Sequence, residues 1–98
     1  MNITQDKTAR TTTGHMAAII GCSANTLRRW CNAGMDHGTI GTWRTVSVED
    51  VARWVSLHRN YCNDPAFSAE TRVTLLELAE WYELRVEADS LTNKTEAA

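Results

Sequence analysis

Apolar side chains recur at helical spacing in four segments of the chain, and residues that start or stop helices flank these segments. The first predicted helix is capped by Thr12 or Thr13 and ended by Gly21, whose backbone tolerates a tight turn. Its apolar positions are Met16, Ala17, Ile19 and Ile20. This spacing predicts a short helix that buries one face.

A second helix is predicted from about Ala24 to Ala33, between a cap at Ser23 and a stop at Gly34. The two helices show the residue pattern with which a helix-turn-helix unit packs. Ala17 is the small residue in the first helix and Gly21 is the glycine in the turn, while Leu27 and Trp30 are apolar residues that face inward from the second helix. The outward positions of the second helix are then Ser23, Ala24, Asn25, Arg28, Arg29 and Asn32.

Between Asp36 and Val46 the helical pattern gives way to glycines, threonines and isolated apolar residues. This composition is typical of a short β-hairpin or wing. We expect Ile40 and Trp43 to pack the hairpin on the core.

Two further helices follow the hairpin. Ser47 opens the motif SVED, which is close to a capping box and predicts a third helix to about Arg59. The stretch NYCNDPAF predicts a linker, and Ser68 then caps a fourth helix to about Ser90. The apolar side of the fourth helix is wide, which indicates contact both with the rest of the chain and with a partner.

The two ends of the chain lack apolar periodicity. Residues 1–11 are predicted to form an arm, and the tail from residue 91 to 98 is predicted to be disordered. The whole pattern predicts a mainly α fold, a winged helix-turn-helix with a short β wing and a long C-terminal helix. We divide it into a winged domain, residues 1–62, and a partner helix with its tail, residues 63–98.

Charge differs between these two parts. Residues 1–62 contain seven Lys or Arg against four Asp or Glu, a balance of +3, whereas residues 63–98 contain three against eight, a balance of −5. A basic and an acidic part indicate surfaces with different partners. No apolar run approaches the roughly 20 residues of a membrane span, and the N-terminus lacks a signal-peptide core. We therefore expect a cytoplasmic protein without membrane contact.

Motifs that catalysis or cofactor binding would require are missing from the sequence. It has no glycine-rich phosphate loop, HExxH or GxSxG motif. The three cysteines form no CxxC pair, and their spacing with the histidines matches no zinc pattern. We expect no enzyme activity, no cofactor and no metal, with the cysteines acting as small buried apolar residues.

The second helix carries side chains that suit DNA. Ser23 and Asn25 can donate to phosphate beside the free N–H groups at the helix start, and Asn25 can also pair with adenine. Arg28 or Arg29 can pair with guanine. Arg44 on the hairpin is placed to reach the backbone or the minor groove. The predicted DNA contacts are Ser23, Asn25, Thr26, Arg28, Arg29, Asn32 and Arg44.

Two stretches of the chain resemble the winged-helix domain of phage terminase small subunits of the lambda type. They are MAAIIGCSANTLRRWCNAGM, from Met16 to Met35, and TVSVEDVARWV, from Thr45 to Val55. In that family a Gly-Met-Pro sequence precedes the wing, whereas here Asp36 stands in place of the proline. The same arrangement is similar to excisionases and to MerR-type regulators.

The terminase resemblance implies a subunit that binds double-stranded DNA at the viral packaging site. It also implies assembly as a dimer or larger oligomer, and transfer of the DNA to a terminase large subunit. The fourth helix would pair with its copy through Leu75, Leu78, Tyr82 and Val86. Two alternatives stay open: an excisionase or MerR-like regulator with the same DNA surface, and an adaptor that binds a protein through the fourth helix and whose arginines are only solvated.

Overall fold

The computed structural model describes residues 7–97 of the chain, with side chains through residue 91. Within that range the protein is mainly helical, with four α-helices and a small three-stranded antiparallel sheet. The elements in chain order are β1 (Thr11–Thr12), α1 (Thr13–Ile20), α2 (Ala24–Ala33), β2 (Gly38–Ile40), β3 (Trp43–Val46), α3 (Val48–Leu57), a 3-10 helix (Arg59–Asn63) and α4 (Ala69–Ala97). The strand order is β1-β3-β2, which is compatible with the predicted winged helix-turn-helix.

The first three helices start where the sequence predicts, because one local side chain sets each start. The Ser23 hydroxyl accepts a hydrogen bond from the Thr26 N–H, and Thr12 caps α1 in the same way. Ser47 and Asp50 form a complete capping box, in which each side chain accepts from the other residue's backbone N–H at 3.0 Å. These caps satisfy N–H groups that have no partner within the helix.

Glycines end α1 and α2, as predicted. Gly21 has φ of 90° and Gly34 has φ of 122°, in the left-handed region that other residues rarely adopt. Gly21 has a second constraint, because its carbonyl accepts a hydrogen bond of 2.6 Å from the Thr71 hydroxyl. The turn between α1 and α2 is therefore tied to the first turn of α4.

The N-terminal segment departs from the predicted arm. Thr11 and Thr12 form β1 and pair with Val46 and Thr45 of β3. Arg10 donates to the Asp50 carboxylate at 3.0 Å, which ties the segment to the start of α3. The arm prediction is wrong for residues 7–11, because these contacts lie far away in sequence; residues 1–6 lie outside the described part of the chain.

Helix α4 belongs to the same hydrophobic core as the other helices. Its most extensive contact is with α3, and Leu75, Leu78 and Ala79 are buried there. The predicted linker also contributes, since the Tyr61 and Phe67 rings lie 4.8 Å and 6.1 Å from the Trp30 ring, centroid to centroid. Residues before and after residue 62, where the sequence analysis divides the chain, therefore share one hydrophobic core.

The C-terminal end of α4 is longer than predicted. The helix runs to Ala97, past the predicted end at Ser90, so the expected disordered tail is helical as far as it is described. Among the described residues, no helix combines the length and apolarity needed to cross a membrane.

Candidate nucleic-acid interface

Helix α2 presents its polar side chains to solvent because its opposite face is fixed in the core. Leu27, Trp30 and Cys31 are buried, as the apolar stripe predicts. The outward side chains that are exposed are Ser23, Asn25, Arg28, Arg29 and Asn32. Four of the seven predicted DNA contacts therefore share one accessible face of the ten-residue helix, and Ser23 is exposed at its N-cap.

Thr26, a sixth predicted contact, is buried instead. Its hydroxyl lies 2.9 Å from the Ser23 hydroxyl and accepts a hydrogen bond of 3.4 Å from Arg29 Nη2. Position 26 is the third residue of the helix, so its side chain points back toward the cap rather than outward. Thr26 orients Ser23 and Arg29 and is not itself available to a ligand.

Arg44, the seventh predicted contact, joins the hairpin to α2. Its Nη1 donates a hydrogen bond of 3.1 Å to the backbone carbonyl of Arg28, and the residue is half-buried. A guanidinium carries five N–H donors, so this bond leaves others for a phosphate. The contact holds β3 and α2 in one geometry, which the sequence alone did not reveal.

The segment that contains α2 and the hairpin has few acidic side chains, although Asp64, which follows the 3-10 helix, lines the same groove as Ser23, Thr26 and Arg29. From Lys7 to Val48 the chain has five Lys or Arg and one acid, Asp36. Arg53 neutralises Asp36 through a contact of 2.8 Å. Within residues 7–97, the ion pairs are Arg10–Asp50, Arg53–Asp36, Arg59–Glu83 and Arg85–Glu49. Arg28, Arg29 and Arg44 are in none of them, so this face retains its positive charge.

The hairpin tip differs from the sequence prediction. Ile40 and Trp43 were expected to pack on the core, but they are 71% and 67% exposed. They flank the turn at Gly41, at the end of the hairpin farthest from the core residue Val46. Strand β3 buries only Thr45 and Val46, at the end that leads into α3, and its other end lies beyond the core.

Two of the four residues predicted to pair α4 between subunits are core residues of their own chain. Leu75 and Leu78 are buried, and Tyr82 is half-buried against the same core. Val86 is exposed, as are Leu84 and Leu91 farther along the helix. The pairing surface predicted through Leu75 and Leu78 is therefore wrong, and α4 also exposes Val73 and Leu76 near its start.

The cysteines pack as small apolar residues. Cys31 and Cys62 are buried and Cys22 is half-buried in the turn before α2. Burial raises the pKa of the Cys22 thiol to about 11 and also raises the pKa of the Cys31 and Cys62 thiols. These thiols stay protonated at neutral pH and are poor nucleophiles. In the described chain, no three His, Cys, Asp or Glu side chains gather as a metal site.

Comparisons with known proteins give no family for this chain. A scan of protein-family models finds no match, and neither do searches of curated proteins and of solved structures. The interface is therefore interpreted from its own residues.

Proposed function

We propose that this protein binds double-stranded DNA, with α2 in the major groove and the β2–β3 hairpin as a wing beside it. The observation that carries the proposal is the pair Arg28 and Arg29, exposed on α2 and in none of the ion pairs of the described chain. Arginines that none of these ion pairs neutralises match a polyanion, because phosphate neutralisation supplies most non-specific DNA affinity.

The dimensions of α2 suit this role. An α-helix with its side chains is about 10–12 Å across, and the major groove is about 12 Å wide, so α2 can lie in it. Ser23 and the free N–H groups at the helix start are suited to hold a phosphate. Asn25, Arg28 and Asn32 lie on the same face and carry the donors and acceptors with which base edges are recognised.

The hairpin supports the proposal through Arg44. Its bond to the Arg28 carbonyl lies between the two predicted contact elements. A wing held against α2 by that bond loses little conformational freedom when DNA binds, and this preorganisation favours affinity.

A more specific form of the proposal is the small subunit of a phage terminase. In this form the protein recognises the packaging site, associates with copies of itself, and presents DNA to a large subunit. The support is the sequence resemblance, together with exposed Leu84 and Leu91, which lie on one side of α4 and can contact another chain. Light scattering of the protein and its DNA complex tests this form, because a monomer on its site would favour an excisionase or MerR-like regulator.

The DNA proposal is tested by the double variant Arg28→Ala/Arg29→Ala. We expect the affinity for a mixed-sequence duplex to fall about 30-fold. The slope of log affinity against log salt should also become shallower by about 0.9 for each lost phosphate contact. Fluorescence anisotropy with a labelled duplex across a salt series measures both quantities.

The matched control is Arg53→Ala/Arg59→Ala, which removes the same charge from exposed arginines that pair with Asp36 and Glu83. We expect it to change affinity much less. Equal losses in the two double variants would mean that binding follows net charge alone, and no binding by the wild-type protein at low salt would favour the protein-interaction adaptor.

A further inference from the structure

The tip of the hairpin carries an apolar pair that the fold does not use. Ile40 and Trp43 are directly opposite each other in the β2–β3 register, so their side chains share one face of the ribbon. Both are largely exposed. An indole buries a large apolar area when it finds a partner, and exposed aromatic residues mark contact surfaces.

The hairpin that carries this pair is bonded to the basic helix α2, although Trp43 and Arg44, as neighbours in a strand, point to opposite faces of the ribbon. Trp43 directly precedes Arg44, whose guanidinium is bonded to the Arg28 carbonyl on α2. The tip therefore projects from a strand that is fixed to the helix proposed to enter the major groove. From His37 to Val48 the chain has no acidic residue, so a polyanion that approaches the tip meets no repulsion from this segment.

We propose that Trp43 and Ile40 form an apolar wedge that inserts at a base-pair step in the minor groove and kinks the duplex. The proposal rests on the DNA-binding function above. The minor groove is about 6 Å wide, which is narrower than a ribbon whose two strand axes alone are about 4.8 Å apart, so insertion of the tip requires the groove to widen as the duplex kinks. Apolar side chains that insert in this groove unstack a base step and bend DNA by about 20–90°.

The wedge differs from the arginine contacts in its dependence on salt. Arg28 and Arg29 displace counterions from phosphate, so their loss changes the salt slope. An inserted indole gains apolar burial and stacking, which displace no counterions. Loss of Trp43 should therefore weaken binding by the same factor at every salt concentration.

The test uses the full chain and a short mixed-sequence duplex with several TpA and CpA steps, which kink most easily. Donor and acceptor dyes at the two ends report bending as energy transfer, and anisotropy reports affinity on the same duplex. For Trp43→Ala we expect about 10-fold weaker binding, an unchanged salt slope and loss of the bend at saturating protein. Trp43→Phe should retain most of the bend because it keeps an aromatic ring.

The matched control is Leu57→Ala, which removes an equally exposed apolar side chain, 68% exposed, from the C-terminal end of α3. It should leave affinity and bend unchanged. If the wild-type protein binds the duplex but bends it no more than Trp43→Ala does, the wedge is overturned and the DNA-binding function is not. A change of oligomeric mass in Trp43→Ala, with DNA bending intact, would also overturn it in favour of a protein contact. No wild-type binding at all would overturn the DNA function itself.

Discussion

Replacing Leu75 by alanine should lower the free energy of unfolding by about 3 kcal/mol, within the range measured for buried leucines. Leu75 is 0% exposed and lies in the core shared by α4 and the other helices. The substitution removes the Cγ methine and the two Cδ methyl groups and leaves a cavity between packed helices that cannot close fully. Urea denaturation followed by circular dichroism measures the change, with the transition midpoint moving and the slope unchanged.

The control for this prediction is Leu84→Ala on the same helix, where the side chain is 66% exposed. Its effect on unfolding should stay within about 0.5 kcal/mol. The comparison separates the two roles that α4 could have, because a leucine used only between subunits would change the oligomeric mass and not the stability of the monomer. Similar small effects from both substitutions would contradict the packing of α4 on its own core.

Gly21→Ala should destabilise the protein by about 2 kcal/mol, because two separate costs fall on one methyl group. The φ of 90° is strained for any residue with a Cβ. That Cβ would also lie 2.9 Å from the Thr71 hydroxyl oxygen, closer than van der Waals contact allows. Thermal unfolding measures the effect, and for a domain of this size the midpoint should fall by about 10 °C.

Two further variants separate the causes. In a Thr71→Ala background the close contact disappears and only the backbone strain remains. Gly21→Ala should then lower the free energy of unfolding by about half as much as it does in the wild type. Gly14→Ala makes the same chemical change inside α1 with no atom within 4 Å of the new Cβ, and it should stabilise the protein by about 0.5–1 kcal/mol. An equal cost of Gly21→Ala in both backgrounds would show that the Thr71 contact is not the reason.

The Gly21–Thr71 contact also matters for the proposed function. The turn at Gly21 sets where α2 begins, and α2 carries Arg28 and Arg29. A hydroxyl on α4 therefore fixes the position of the proposed DNA-binding helix. Variants that loosen α4 should be checked for DNA affinity as well as for stability.

Local chemistry explains what could be predicted from sequence. Helix caps at Thr12, Ser23 and Ser47 and stops at Gly21 and Gly34 were recognisable because each depends on residues within four positions. The outward face of α2 was recognisable for a similar reason: helical periodicity places Arg28 and Arg29 opposite the apolar stripe, whatever the stripe packs against.

Contacts distant in sequence explain what could not be predicted. Thr11 and Thr12 became a strand only because β3 offers an unpaired edge, and Arg10 found its partner forty positions away at Asp50. Arg44 bonded to a backbone carbonyl, which no side-chain pattern reveals.

The burial of Thr26 has a local cause instead. The Thr26 hydroxyl contacts the Ser23 hydroxyl three positions earlier, and this cap turns Thr26 inward although it lies in the same helical segment as the exposed residues.

The sequence by itself determined where the first three helices begin, where α1 and α2 end and which side of α2 is charged, since nearest-neighbour chemistry decides all of these. The tertiary structure alone decided which apolar residues of α4 and of the hairpin are core. It buried Leu75 and Leu78, which a pattern with too many apolar positions could not sort, and it left Ile40 and Trp43 in solvent. The physical reason is that burial depends on what lies opposite a side chain, and that neighbour comes from a distant part of the chain.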